Sequence, residues 1–295
     1  MLSRSAQWLF AVNAGSHELS VFAVHKDGLE LTDKLDSGGQ RPVSLTQHGH
    51  LIYVLNAGGS VGGEDNISGF LFNDGKLAPL PNSTRALSAG NTGPAEVQFS
   101  HDGDVLVVTE KATNLIDTFV VDDNGLTGAR RSIASAGATP FGFAFGRNDS
   151  LLVSEAAGGV ADASSVSSYE LSDNGGLRRI SPSVPTTETA ACWVVVTRNG
   201  RYAYTSNTGS GSISAYRIHR ENSRLALRDP DGRTGVTGDN SGPIDLALST
   251  DSHFLYSLNS RTGSISGFQV ANDGGLETIP GVAGLPAGAN GLVAR

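Results

Sequence analysis

Carboxyl side chains interrupt a recurring asparagine pattern in this 295-residue chain, and their spacing is the first pointer to chemistry. Aligning segments of similar pattern brings Asn13, Asn56, Glu110, Glu155, Asn207 and Asn259 to one equivalent position, at intervals of 43, 54, 45, 52 and 52 residues. Two successive copies therefore carry an acid where the others carry an amide. Crowded carboxyls raise one another's pKa, so that one can donate a proton while the other accepts it. A second equivalent set, near the start of the preceding segment, contains Ser44, Glu96, Gly142, Trp193 and Asp245, with Gly291 as a sixth candidate. Glu155, Glu110 and Glu96 are the candidate catalytic residues. Asn13, Asn56, Asn207, Asn259, Asp245 and Trp193 are the candidate substrate-binding residues. The competing expectation is that Asn and Glu at strand ends merely satisfy the backbone groups of neighbouring loops.

Other chemistry is weaker in the sequence. Glu96, Glu110, Glu155 and Asp245 are hard oxygen ligands that would suit Ca²⁺ or Mg²⁺, but no contiguous calcium loop is present, and no metal or other cofactor is expected. His48 and His50 form a turn pair without further ligands. Cys192, the single cysteine, is expected to be a small apolar filler, because no histidine base occupies a matching position in a neighbouring copy. Residues 58–62, GGSVG, match the nucleophile-elbow string but lie in a glycine-rich loop rather than a strand-to-helix turn.

The elements that must position these residues are short strands. The third copy reads GPAEVQFSHDG, DVLVVTE, NLIDTFVV, DDNGLTGARRS, and the sixth reads GPIDLALSTDS, HFLYSLN, GSISGFQV, NDGGLETIP. Apolar and polar residues alternate within the strands, and Gly or Asn-Gly turns separate them, which is the signature of antiparallel hairpins. A 40–50-residue period of such meanders predicts an all-β propeller of four-stranded blades, with six copies in one domain spanning residues 1–295. In a blade, inner strands start and second strands end on one face, so the two sets of equivalent residues should form concentric rings at one mouth. The longest insertions after second strands, residues 57–65 and 156–164, are candidate flaps over it.

The first copy begins at its second strand, with only residues 1–3 as a remnant of an inner strand. Closure is therefore expected from the other end of the chain, with residues 292–294 lying beside residues 9–12. Thirty-eight glycines suit such a fold, and a formal charge of −8 without a basic stripe argues against nucleic acid. No segment has the length of a spanning helix, so no membrane association is expected, and a cytoplasmic protein with a small-molecule ligand is the default.

The elements FSHDGDVLVVTE, VTRNGRYAYTSN and LSTDSHFLYSLN, with SISAY and SISGF, resemble the lactonase propellers, which include 6-phosphogluconolactonases of the propeller type and carboxymuconate cyclases. The resemblance spans essentially the whole chain. It implies hydrolysis or formation of a small lactone, and a non-catalytic propeller binding a sugar, metal or protein segment is the alternative. Members of that family typically have seven blades, which leaves a true six-blade form and a start lacking one blade both open. The resemblance places the family's histidine at Glu96, its two arginines at Phe141 and Thr208, and its glutamate at Glu155, where alone the residue type is kept. Phe141 and Thr208 cannot form the bidentate fork by which arginine holds a carboxylate or phosphate, so a neutral lactone fits better than a phosphogluconolactone.

Overall fold

A computed structural model describes all residues from 1 to 295. Six antiparallel sheets follow one another along the chain, and helix is confined to 3₁₀ turns at Gly58–Val61, Arg147–Asp149 and Ala157–Gly159. The sheets are propeller blades, each a meander of strands adjacent in sequence. Blade 3, for example, pairs Pro94–Phe99, Val105–Glu110, Leu115–Val120 and Arg131–Ala134 in that order. The all-β, repeated-blade expectation is the fold observed.

The blades fall into two compact units, residues 1–134 with the turn at 172–176, and residues 135–171 with 177–295. Within each, the core lies between sheets because one blade cannot cover both of its own faces. In the first unit, Phe10, Val21, Ile52, Val54 and Phe70 fill the space between blades 1 and 2, while Tyr53, Leu55, Val97, Leu106 and Phe119 fill that between blades 2 and 3. In the second unit, Leu152, Val166, Val194 and Tyr216 join blades 4 and 5, and Tyr204, Ile213, Leu246 and Phe268 join blades 5 and 6. Buried tyrosines also tie neighbouring blades through their hydroxyls. Tyr53 donates to the Gly125 carbonyl at 2.9 Å, and Tyr204 to that of Gly274 at 3.0 Å.

The expected closure by residues 292–294 is not what forms. The inner edge of Trp8–Asn13 is occupied from its own end of the chain: Leu2 bridges Leu9, Phe10 N–H donates to the Met1 carbonyl, and Ser3 N–H to that of Trp8, both at 2.8 Å. Residues 1–3 reach this edge through a four-residue loop, so closing it costs little chain entropy compared with recruiting a strand from the far terminus. Residues 284–295 contain no strand, and Gly291 is therefore not a member of the inner-strand set. Leu292 instead donates its N–H to Asp245 Oδ2 at 2.7 Å.

Candidate functional site

Five of the six strand-end residues are buried hubs, and Asn13 is half-buried. The register explains why: each faces the first residue of the third strand, or in the case of Asn56 the second, and the residue two further on lies on the same side. Asn207 pairs with Ser212, and its amide donates to Ser212 Oγ at 3.0 Å and to Ser214 Oγ at 2.9 Å. Asn259 repeats this with Ser264 and Ser266 at 3.2 and 2.8 Å. Asn56 donates to Asn66 Oδ1 at 3.0 Å, and Asn13 to Ser20 Oγ at 2.8 Å. Glu155 accepts from the hydroxyls of Ser165 and Ser167 and, through Oε1, from Gly137 N–H at 2.9 Å. Glu110 accepts at Oε1 from Ser88 N–H at 2.9 Å and at Oε2 from the hydroxyls of Ser88 and Thr113.

Both glutamates are completely enclosed, with 0 % exposure. Their oxygens are taken up by donors from their own hairpins and from the connections that lead into their blades. The donors arriving from outside the hairpin went unrecognised in the sequence. Ser37 Oγ donates to Asn56 Oδ1 at 2.8 Å, and Ser88 and Ser135 reach Glu110 and Glu155. The readable signal was a repeated Ser-x-Gly before the proline-led strands, at Ser37-Gly38-Gly39, Ser88-Ala89-Gly90 and Ser135-Ala136-Gly137. At Gly137 the glycine is needed for room, because a Cβ would sit 2.6 Å from Glu155 Oε2. In blade 5 the corresponding approach comes from Glu188, whose Oε2 accepts from Ser212 Oγ at 2.6 Å.

Blade 3 contains a second acid that the sequence reading also passed over. Asp117 occupies the position held by Ser20, Ser68, Ser167, Ser214 and Ser266 in the other blades. It is fully buried, with the Arg130 guanidinium 3.4 Å away and the Glu110 and Ser132 side chains as its polar neighbours. Burial, reinforced by the neighbouring Glu110, pushes its carboxyl up to about 8; burial also opposes ionisation of Glu110, but the Asp117 carboxyl first, and then the Ser88 and Thr113 donors, hold Glu110 below its ordinary range. Two buried carboxyls this close share one proton at neutral pH.

The inner-strand starts differ from the hubs because each carries a β-bulge. Register shifts fall between Pro42 and Ser44, Pro140 and Phe143, Ala191 and Val194, and Pro243 and Asp245, and blade 3 shifts between Pro94 and Val97. A bulge re-aims side chains that a regular ladder would direct to the sheet faces. In the second unit the adjoining bulges of blades 4 and 5 set Phe141 edge-on to Trp193, ring centroids 5.7 Å apart. Gly142 permits this approach, since a Cβ there would meet the Cys192 carbonyl oxygen at 2.7 Å. On the bulge of blade 6, Asp245 is 7 % exposed and accepts from the Leu246 and Leu292 amides, both at 2.7 Å. Burial raises its carboxyl to about 6. Thr208 donates to Pro243 O at 2.6 Å, and its hydroxyl oxygen lies 2.9 Å from Cys192 Sγ, tying the fifth and sixth blades together beside these bulges. In the first unit the equivalent Glu96 is held by the Gln98 amide at 2.5 Å.

The remaining candidates are dispersed. His50 Nδ1 lies 3.0 Å from the Phe72 carbonyl oxygen, whereas the His48 ring packs on Phe99. No three His, Cys, Asp or Glu side chains gather in a metal-ligating cluster. Ser60 in the GGSVG string sits in a 3₁₀ turn, donating to the Ala57 carbonyl and accepting from Arg41. No helix is long and apolar enough to cross a membrane.

The family described as lactonase, seven-bladed β-propeller, matches residues 64–190 and 163–286. The chain belongs to the lactonase family. Its repeats are six where the family description has seven. No curated protein matches it by sequence. Among solved structures, a protein of Bacteroides uniformis provisionally described as a 6-phosphogluconolactonase superimposes with a TM-score of 0.79 at 19 % identity, over 96 % of this chain and 84 % of that one. The periplasmic gluconolactonase of Pseudomonas aeruginosa gives 0.74 at 19 %, over 94 % and 82 %. A chain of a nidogen/laminin complex also matches, with a TM-score of 0.60 at 12 % identity, over 94 % and 93 %. At such identities these likenesses establish the fold alone. The lactonase positions carried over from sequence hold Phe141 edge-on to Trp193, Thr208 hydrogen-bonded to the next blade, and Glu155 enclosed.

Proposed function

We propose that this lactonase-family propeller hydrolyses a small neutral lactone at the bulged inner-strand starts of residues 135–295, with Asp245 as general base. The observation that carries the reading is Asp245 itself: a carboxyl on a bulge, oriented by two backbone amides, with a pKa raised to about 6 by burial. A carboxyl tuned this close to neutrality is suited to proton transfer, and such shifts concentrate at functional sites. Its carboxylate takes a proton from water as the water oxygen bonds to the lactone carbonyl carbon. The tetrahedral oxyanion then collapses, the ring C–O bond breaks, and the departing oxygen receives the proton, giving a hydroxy acid. Phe141 and Trp193 supply an apolar wall for the carbon skeleton. The lack of an arginine fork beside them favours an uncharged ring over a phosphorylated one.

The test is a hydrolysis panel of neutral and phosphorylated lactones. On a lactone that is turned over, Asp245→Asn is expected to lower kcat/KM by roughly 10²–10⁴. The unmodified protein should gain activity as pH rises through about 6, where Asp245 loses its proton. A rate unchanged by Asp245→Asn removes the proposed base. The Phe141–Trp193 edge-to-face pair also suits a ligand-binding role without turnover, because aromatic faces hold apolar ring surfaces. Saturable lactone or sugar binding with no hydrolysis across the panel decides for that second reading.

A further inference from the structure

The opposite ends of the same strands in blades 5 and 6 form a second, chemically distinct cleft of about 560 Å³. Arg201 precedes the second strand Tyr202–Asn207, Arg217 is next to last in the third strand Ser212–Ile218, and Arg220 follows that strand. Asn272 and Asp273, from the turn before the last strand of blade 6, complete it. The strand Tyr202–Asn207 separates this cleft from the bulges by roughly 17 Å, at about 3.3 Å per residue.

Its electrostatics run against those of the chain. The protein carries a formal charge of −8, yet three arginines line this cleft, none of them in a salt bridge. The one acid present, Asp273, is already neutralised by Arg228, whose Nη2 lies 2.7 Å from its Oδ2 and whose Nε donates to its carbonyl. The floor is firm. Tyr202 is buried, Arg201 lies over its ring at 5.9 Å, and the ring packs so closely on Gly274 that a Cβ there would fall 2.4 Å from it. Arginines without acidic partners, lining a cleft of metabolite size and anchored on strand ends, suit an oxyanion held through bidentate forks.

We propose that this cleft binds an organic phosphate of nucleotide or sugar-phosphate size, its phosphate held by Arg201, Arg217 and Arg220. The site is independent of the lactone reading, since no residue is shared between them. The test is calorimetric titration with pyrophosphate at low ionic strength, with citrate as a carboxylate of similar charge. One saturable site is expected for pyrophosphate, and Arg217→Gln and Arg220→Gln should each weaken it about tenfold or more, the loss of a charge-assisted hydrogen-bonding pair. Both side chains are exposed, so both variants should melt at the temperature of the unmodified protein. Arg261→Gln, an exposed arginine outside the cleft, should leave binding unchanged. Absence of saturation up to about 10 mM pyrophosphate overturns the proposal, because an affinity that weak is not that of a built site. An equal loss in Arg261→Gln, which marks diffuse attraction, also overturns it. Citrate binding as tightly as pyrophosphate overturns the assignment to phosphate.

Discussion

Blades 3 and 4 put a glutamate at the same strand end, yet the two side chains live in different chemical surroundings. Glu155 meets Ser165 and Ser167 across its hairpin, along with the Gly137 amide, and every one of these groups can donate to a carboxylate. Glu110 meets Leu115 and Asp117 at the matching positions, so one of its neighbours offers no polar group and the other is a second acid. Its donors come from Ser88 and Thr113 instead. Two differences in the third strand, Leu115 for Ser165 and Asp117 for Ser167, thus turn a saturated hub into a proton-sharing pair. What a buried carboxyl does is set by its partners' donors, not by its position in the repeat.

The largest effect expected from this comparison is at Glu155. Glu155→Ala strands two hydroxyls and an amide in a dry interior and should cost about 3–5 kcal/mol. At about 2–4 °C per kcal/mol for a chain of this size, melting should fall by roughly 10 °C. A loss below about 1 kcal/mol would mean that solvent reaches the hub.

Asp117→Ser recasts blade 3 in the image of blade 4, and its signature is in the pH dependence of stability. The folded pKa of Asp117, about 8, lies above an unfolded value of about 3.9. The stability that this implies is fully present below about pH 4 and is lost as pH rises through about 8. Glu110, held low, contributes in the opposite sense, and only below about pH 4.5. Between pH 5 and 8 the unmodified protein should therefore lose up to about 1.4 kcal/mol per pH unit relative to Asp117→Ser. Parallel denaturation profiles for the two proteins would show that the carboxyl pair does not share a proton. The smallest effect is expected where amide meets hydroxyl. In Asn259→Ala, Ser264 and Ser266 lose only a neutral donor and can turn toward other partners, so urea unfolding should register about 1 kcal/mol.

Much of this architecture is legible in the chain. The repeated proline-led strand, the alternation in VLVVTE and the Asn-Gly turns specify antiparallel meanders, because side-chain period and turn chemistry are local properties that tertiary packing only confirms. The equivalence of Asn13, Asn56, Glu110, Glu155, Asn207 and Asn259 was likewise readable, and each does end a second strand or stand next to its last residue. Asp245 and Trp193 could be placed at inner-strand starts from the same alignment.

What the alignment could not supply was the direction in which those ends face. Whether a strand-end carboxyl meets solvent or a closed shell depends on groups arriving from about 20 residues upstream, such as Ser88 and Ser135, and on the third-strand residue two beyond its partner. The bulges that set Phe141 against Trp193 and bury Asp245 arise from the fit between neighbouring strands, which no single segment encodes. The edge of blade 1 went to residues 1–3 rather than 292–294 for a similar reason. The short loop between residues 3 and 8 makes the nearer segment cheap to hold in place. Composition and periodicity therefore decided which residues are equivalent, while burial, pKa and partner were decided only when distant segments packed, because desolvation and hydrogen bonding are properties of the assembled surroundings.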